Sequence, residues 1–436
     1  MSPASRSYDV IVIGAGCAGL AAASSLAERG ARVLVLEARP ALGGRATAFT
    51  DPATGERVDN GQHVLLGCYR DTFRFLSRIG AADRVQLQDR LTLDIIDRDG
   101  HPSRLACPAL PPPLNLLAGL MTWDALAWRD RLAAVRVGRT FIALDGETVR
   151  DWLIRHHQTS RLIEVLWQPL AVAALNESID VAAAVPFANV LTEMLGGHAS
   201  DAAIAVPLRP LDEMYALPAR SYIESRGGEV RISAPARVVC GGDGATPRVM
   251  VRDEMVSAPT VICAVPWWAL AETFVGAPPA FMPTLEAATR TGSSSIVTVN
   301  LWFDRVVTDH VLLGLPGRTM HWIFDKRRAF GERASHLSLV SSGADAVVSQ
   351  TNDQLVQIAT REVLEAIPPA RNAILQRAVV VRERRATFSV APGQPPRPST
   401  HTPIRGVLLA GDWIDTGLPA TIESAVRSGH MAAAAA

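Results

Sequence analysis

Lysine is almost missing from this 436-residue chain: of 43 basic residues only Lys326 is a lysine. Schiff-base chemistry would rest on that one amine, which argues against it. Basic and acidic side chains balance at 43 each, so the positive footprint of a nucleic-acid binder is absent and nucleic acid is not an expected partner. The five cysteines, Cys17, Cys68, Cys107, Cys240 and Cys263, are odd in number and scattered, with no C-x-x-C pair. That pattern excludes a zinc or dithiol motif, leaves no metal expected, and suits reduced thiols in the cytoplasm. The opening run from Met1 to Val10 lacks the charged, apolar and cleavage regions of an export signal, which again points to the cytoplasm. Two long uncharged stretches, Leu105 to Trp123 and Met255 to Ala271, run 19 and 17 residues. Prolines 108, 111, 112 and 113 interrupt the first, and Pro259 and Pro266 bracket a short β-branched run in the second, so no membrane span is expected.

The chain is long enough for two or three domains. With 48% hydrophobic against 20% charged residues it is too apolar to be disordered. Residues 8–38 read as strand, tight turn, helix and strand: Val10 to Ile13, Gly14-Ala-Gly-Cys-Ala-Gly19, an Ala/Leu-rich stretch to Arg29, then Val33 to Leu36. Continuous apolar strands of this kind belong to a parallel sheet covered on both faces. A second such strand, Val407 to Ala410, precedes Gly411-Asp412 and an expected C-terminal helix from Thr421. The organisation expected is a nucleotide-binding domain built from residues 1–104, 216–284 and 381–436. A substrate domain from 105–215, largely helical, and 285–380, with β-like runs, interrupts it twice.

The Gly14-x-Gly16-x-x-Gly19 pattern places glycine where the turn is tight, where backbone must approach a pyrophosphate, and where helix packs on strand. The helix N-terminus then offers free N–H groups to phosphate. Glu37, 23 residues after Gly14 at the end of the second strand, is placed to accept from a ribose hydroxyl and to repel a 2′-phosphate.

Two further blocks specify the dinucleotide: Arg39-Pro-Ala-Leu-Gly-Gly-Arg45, and Gly411-Asp-Trp-Ile-Asp-Thr-Gly-Leu-Pro-Ala-Thr-Ile422. Together with the glycine loop they resemble the FAD-binding amine-oxidase and phytoene-desaturase superfamily. The resemblance implies an α/β fold: a doubly wound Rossmann-type FAD-binding domain with a mixed sheet-and-helix substrate domain, amine oxidase-like. It also implies FAD contacts at Gly43, Gly44, Arg45, Gly411, Asp412, Thr421 and Ile422, alongside Gly14, Gly16, Gly19 and Glu37. Val238, on the short run Ala236 to Val239, completes the expected cofactor set. Asp59-Asn-Gly-Gln-His63, Leu166-Trp-Gln-Pro-Leu170 and Arg382-x-x-Arg-Ala-Thr-Phe388 narrow the resemblance to the squalene-associated branch. That branch implies an oxidoreductase of bacterial hopanoid and squalene biosynthesis, removing the hydroxyl of a C30 isoprenoid alcohol, hydroxysqualene, to give squalene. Two alternatives stay open: desaturation of a C30 or C40 polyene, and a non-catalytic prenyl-lipid carrier of related fold.

Such a reduction needs hydride and a proton. No second G-x-G-x-x-G unit offers a nicotinamide site, so the electron donor is unknown, either a soluble reductant or another protein. His63 is the expected general acid because imidazole titrates near working pH; a structural histidine bonded to loop carbonyls is the alternative. Asp415 is the rival donor, with helix capping or cofactor orientation as its other reading. The resemblance offers Lys326 as the lysine that holds a water at flavin N5 in amine oxidases, but its neighbours Asp325, Arg327 and Arg328 make it read as a solvated strand end. Leu110 to Trp128 combines a proline lead with Leu, Met and Trp at near-helical spacing. It is expected to touch the membrane surface through Leu116, Leu117, Trp123 and Trp128, making the protein peripheral at the inner face of the cell membrane; an ordinary buried helix is the alternative.

Overall fold

The computed structural model describes residues 7–137, 141–241, 246–332 and 335–436. Residues 1–6, part of the run on which absence of an export signal was read, lie outside them. A five-stranded, wholly parallel sheet is ordered Glu229–Arg231, Val33–Leu36, Val10–Ile13, Thr260–Cys263, Val407–Leu409. Every residue of Val10–Ile13 and Val33–Leu36 is buried, because helices cover one face of the sheet and a second, four-stranded sheet, through Val238, Val249, Val251 and Val256, covers the other. One covering layer is the helix Cys17–Glu28, which packs closely on the C-terminal helix Ile422–Ala435. A Cβ on Gly429 would stand 2.2 Å from the Ala18 carbonyl oxygen, so that contact has no room for a side chain. The strands come from both ends and the middle of the chain, as the expected α/β organisation requires.

The substrate side is a seven-stranded sheet, ordered Leu375–Phe388, Ser293–Phe303, Ser335–Ser342, Trp322–Asp325, Leu312–Gly314, Thr92–Ile96, Pro102–Ala106. One face, including Val297, Val299, Leu301, Leu337 and Leu339, packs on the helix Asn352–Ala366 through Leu355, Ala359 and Val363. The other face turns toward helices of the 114–195 region and bounds the main cavity. The expected boundaries at 104 and 380 therefore shift. Residue 104 lies inside a strand that pairs antiparallel with Thr92–Ile96, so both of these strands belong to the substrate sheet. Residue 380 lies inside the 14-residue strand Leu375–Phe388, unbroken at that point. Strand pairing across hundreds of residues decides both boundaries, and local composition carries no trace of it.

Candidate active site

The strand Val10–Ile13 runs directly into the glycine loop. Gly14 has φ +104°, and a Cβ there would lie 2.6 Å from the Ala264 carbonyl oxygen. A Cβ on Gly19 would lie 1.9 Å from the Gly14 carbonyl oxygen, so the helix can begin this close beneath the loop only with glycine. At Gly16, by contrast, nothing stands within 4 Å of the Cβ position, and the residue opens on a cavity of about 880 Å³. Glu37 is buried on the same wall. Its two oxygens accept from the N–H groups of Ala15 at 2.8 Å and Arg39 at 2.9 Å, which braces the loop and leaves further lone pairs toward the cavity.

The second lobe of this cradle comes from distant sequence. Arg45 donates to Asp412 Oδ1 at 2.5 Å and to the Ala386 carbonyl at 2.8 Å. Its guanidinium also lies 5.4 Å from the Trp267 and Trp268 rings. The Gly411 N–H donates to Ser428 Oγ at 2.8 Å, fixing the strand end against the last helix. Thr421 caps that helix by accepting from the Ser424 N–H at 3.1 Å, so a 14-residue helix presents its positive end at Thr421 and Ile422 on the cavity wall. The structure thus brings Gly14, Gly16, Glu37, Gly43, Gly44, Arg45, Gly411, Asp412, Thr421 and Ile422 to one cavity, with Gly19 packed behind. Val238 is different: its side chain is fully buried in the core, and its neighbours Ala236 and Arg237 line the cavity instead. Val238 shares its strand face with Ala236 but lies deeper in the core, and it does not line the cavity.

Beyond the cradle the same cavity becomes apolar. Leu116, Leu166, Leu170 and Met194 wall it on the helical side, and Trp322 and Phe324 on the large sheet. His63 stands on this wall with Nδ1 2.8 Å from the Gly61 carbonyl. Burial lowers its pKa, and the cations Arg45 and Lys326 push the same way against Asp59. The acid role expected for His63 runs against these surroundings. A neutral ring donating from Nδ1 to Gly61 presents Nε2 as a hydrogen-bond acceptor.

Two other expectations are corrected. The Asp415 side chain is 63% exposed, pairs with Arg397 at 3.2 Å and does not line the cavity, so it lacks the desolvation a neutral carboxyl donor needs. Lys326 is not solvated but wholly buried. Its ammonium donates to Asp59 Oδ2 and Gln62 Oε1, both at 2.6 Å, and lies 3.6 Å from the Phe330 ring. Burial pulls its pKa down while Asp59 holds it up. It thereby anchors the Asn60–His63 stretch of the cavity wall to the large sheet. Cys17, beneath the loop, has its thiol pushed up to about 11 by burial, in keeping with a packing role.

Residues 17–436 match the flavin containing amine oxidoreductase family, and the chain belongs to it. It is 31% identical to a hydroxysqualene dehydroxylase of Rhodopseudomonas palustris, with 98% of each chain covered. It is 25% identical to the 15-cis-phytoene desaturase of Solanum lycopersicum, covering 99% of this chain and 78% of the other. Among solved structures, cyclohexylamine oxidase from Brevibacterium oxydans superposes with a TM-score of 0.71 at 19% identity, over 99% of this chain and 98% of that one. The protein is therefore an FAD-dependent oxidoreductase with the amine-oxidase fold. Its residues fit the cofactor: a glycine loop open at Gly16, the buried Glu37 carboxylate and the N-terminus of the last helix line one cavity.

Proposed function

We propose that this enzyme reduces hydroxysqualene to squalene, as a step of hopanoid biosynthesis. The observation that carries the reading is one cavity running from the FAD cradle into a long apolar end, in a chain that aligns along nearly its whole length with dehydroxylases of matching length. When bound, reduced FAD supplies the hydride. The chain's own part is to seat a C30 hydrocarbon against Leu116, Leu166, Leu170 and Phe324, to exclude water, and to hold the hydroxyl where His63 Nε2 can accept from it. Release of the hydroxyl as water requires a proton from the protein, and the electron donor that re-reduces the enzyme is a separate partner.

The substrate lives in a bilayer, and the surface beside the cavity suits one. Among the described residues no helix is long and apolar enough to cross a membrane. The surface differs from the one expected: Trp123 is buried and Leu116 lines the cavity, so neither belongs to an outer patch. Leu114, Trp128, Leu132 and Val135 are exposed instead, Trp128 at 62%, beside the exposed Arg129. Trp128, Leu132 and Val135 share one face of the helix Trp128–Val135. An aromatic and aliphatic face flanked by arginine suits an anionic membrane surface, which supports a peripheral position at the inner face of the cell membrane. Anaerobic mixing separates the reductive reading from desaturation. Reduced enzyme should be reoxidised by hydroxysqualene while oxidised enzyme ignores squalene and phytoene; the opposite pattern replaces this reading with a desaturase.

A further inference from the structure

Glu383 sits within the Arg382–Phe388 motif without a role in the sequence reading, yet its position is specific. It pairs across the strands with Ile296, and both line the cavity. Arg382, one residue earlier, points through the sheet to its other side, where the Val348 and Gln350 carbonyls and the Asn352 side chain accept from it. Immediately after Glu383 the ladder breaks. Ser294 pairs with Thr387 and Ile296 with Glu383, so Arg384, Arg385 and Ala386 stand opposite Ser295 alone. Bulges of this kind re-aim side chains beside active sites. This one is tied to the cofactor end: the Ala386 carbonyl accepts from Arg45, the Arg385 guanidinium lies 4.7 Å from the Trp268 ring, and Ser295 Oγ donates to the Arg384 carbonyl at 3.2 Å. Glu383, at the foot of the bulge, has apolar Ile296 beside it, and its charge is felt at Arg45.

Four carboxylates line the cavity: Glu37, Glu272, Glu383 and Asp412. Glu37 is occupied by the loop N–H groups and Asp412 by Arg45, while Glu272 is solvent-exposed. Glu383 is the half-buried one that has neither hydrogen-bond nor ion-pair partner among the described residues.

We propose that Glu383 is the proton donor to the departing hydroxyl, an assignment that rests on the reductive reading above. The allylic C–O bond breaks with its electron pair going to oxygen. The Glu383 proton completes a water molecule, and the carbon takes a hydride supplied by reduced FAD. One hydride and one proton are consumed per alcohol, and Glu383 regains its proton from solvent.

The test is anaerobic single turnover of FAD-reduced holoenzyme with hydroxysqualene and with its acetate ester, whose leaving group needs no proton. Glu383→Gln should slow squalene formation from the alcohol by roughly 10²–10⁴-fold, yet stay within about threefold of wild type on the ester. Glu383→Asp, which keeps a carboxyl, should recover part of the loss. A Glu383→Gln variant that matches wild type on the alcohol, is slowed equally on both substrates, or fails to retain FAD overturns the assignment. If wild-type reduced enzyme leaves the alcohol untouched, the reductive reading itself falls and the assignment with it.

Discussion

Replacing Lys326 with methionine removes the only lysine while keeping an unbranched apolar stem, so the loss falls on the ammonium. In the folded protein that ammonium is fully buried 2.6 Å from Asp59 Oδ2, and Asp59 is itself 2% exposed. Without it, among the described residues only the Leu211 N–H, at 2.9 Å, donates to the Asp59 carboxylate. A buried carboxylate left without its counter-ion costs about 3–5 kcal/mol, whereas a solvated pair costs at most about 1 kcal/mol. Denaturant unfolding of the holoenzyme at fixed FAD concentration distinguishes the two. Asp59→Asn combined with Lys326→Met removes both charges, so the double variant should be more stable than Lys326→Met alone, with a coupling energy of about 2 kcal/mol or more. A Lys326→Met loss under about 1 kcal/mol, or a double variant whose losses simply add, refutes the buried-pair account and returns Lys326 to the surface.

Glu37→Ala removes a charge-assisted contact worth roughly 1.5–3 kcal/mol, so FAD affinity measured by flavin release on dialysis should drop by about ten- to a hundredfold. Burial pushes the Glu332 carboxyl from 4.5 to about 7, with Lys326 pulling it down and Asp59 pushing it up. Between those values the folded state binds the extra proton, so Glu332 contributes stability that is lost as pH rises through the window. The buried His321, depressed to about 4, slopes the opposite way, as does His336, depressed to about 3 and 3.1 Å from Glu332, so the difference between wild-type and Glu332→Gln unfolding curves reads the Glu332–His336 pair; a pH-independent difference contradicts it. Trp128→Ser with Leu132→Ser should weaken flotation with anionic liposomes at unchanged FAD content, while Trp123→Ser, a core substitution, should destabilise the fold. Undiminished flotation of the first variant removes the membrane face.

Much of the cradle was legible because its residues act locally. Gly14, Gly16 and Gly19 sit within one strand–turn–helix unit, and the spacing to Glu37 is fixed by the length of that unit. The misreadings share a cause. Lys326 looks solvated beside Asp325, Arg327 and Arg328, and only the fold brings Asp59 and Gln62, more than 260 positions away, against it. Asp415 follows Asp412 by three residues, yet the chain turns it outward to Arg397. Trp123 and Trp128 read as one amphipathic stripe, but the first helix ends at Thr122 and a second starts at Trp128, so their faces are set independently. Glu383 had no sequence signal at all, since its aim depends on a bulge that appears only when two strands of unequal local length are paired.

The central claim meets its most direct test in one anaerobic experiment: enzyme holding one reduced FAD per chain is mixed with excess hydroxysqualene, and the flavin absorbance and lipid products are followed together. The account predicts reoxidation of the flavin and about one squalene formed per FAD consumed, as expected for a two-electron hydride transfer, with no product from oxidised enzyme. Reduced flavin that persists beside untouched alcohol, or oxidised enzyme that turns a saturated segment of a polyene into a new double bond, would contradict it.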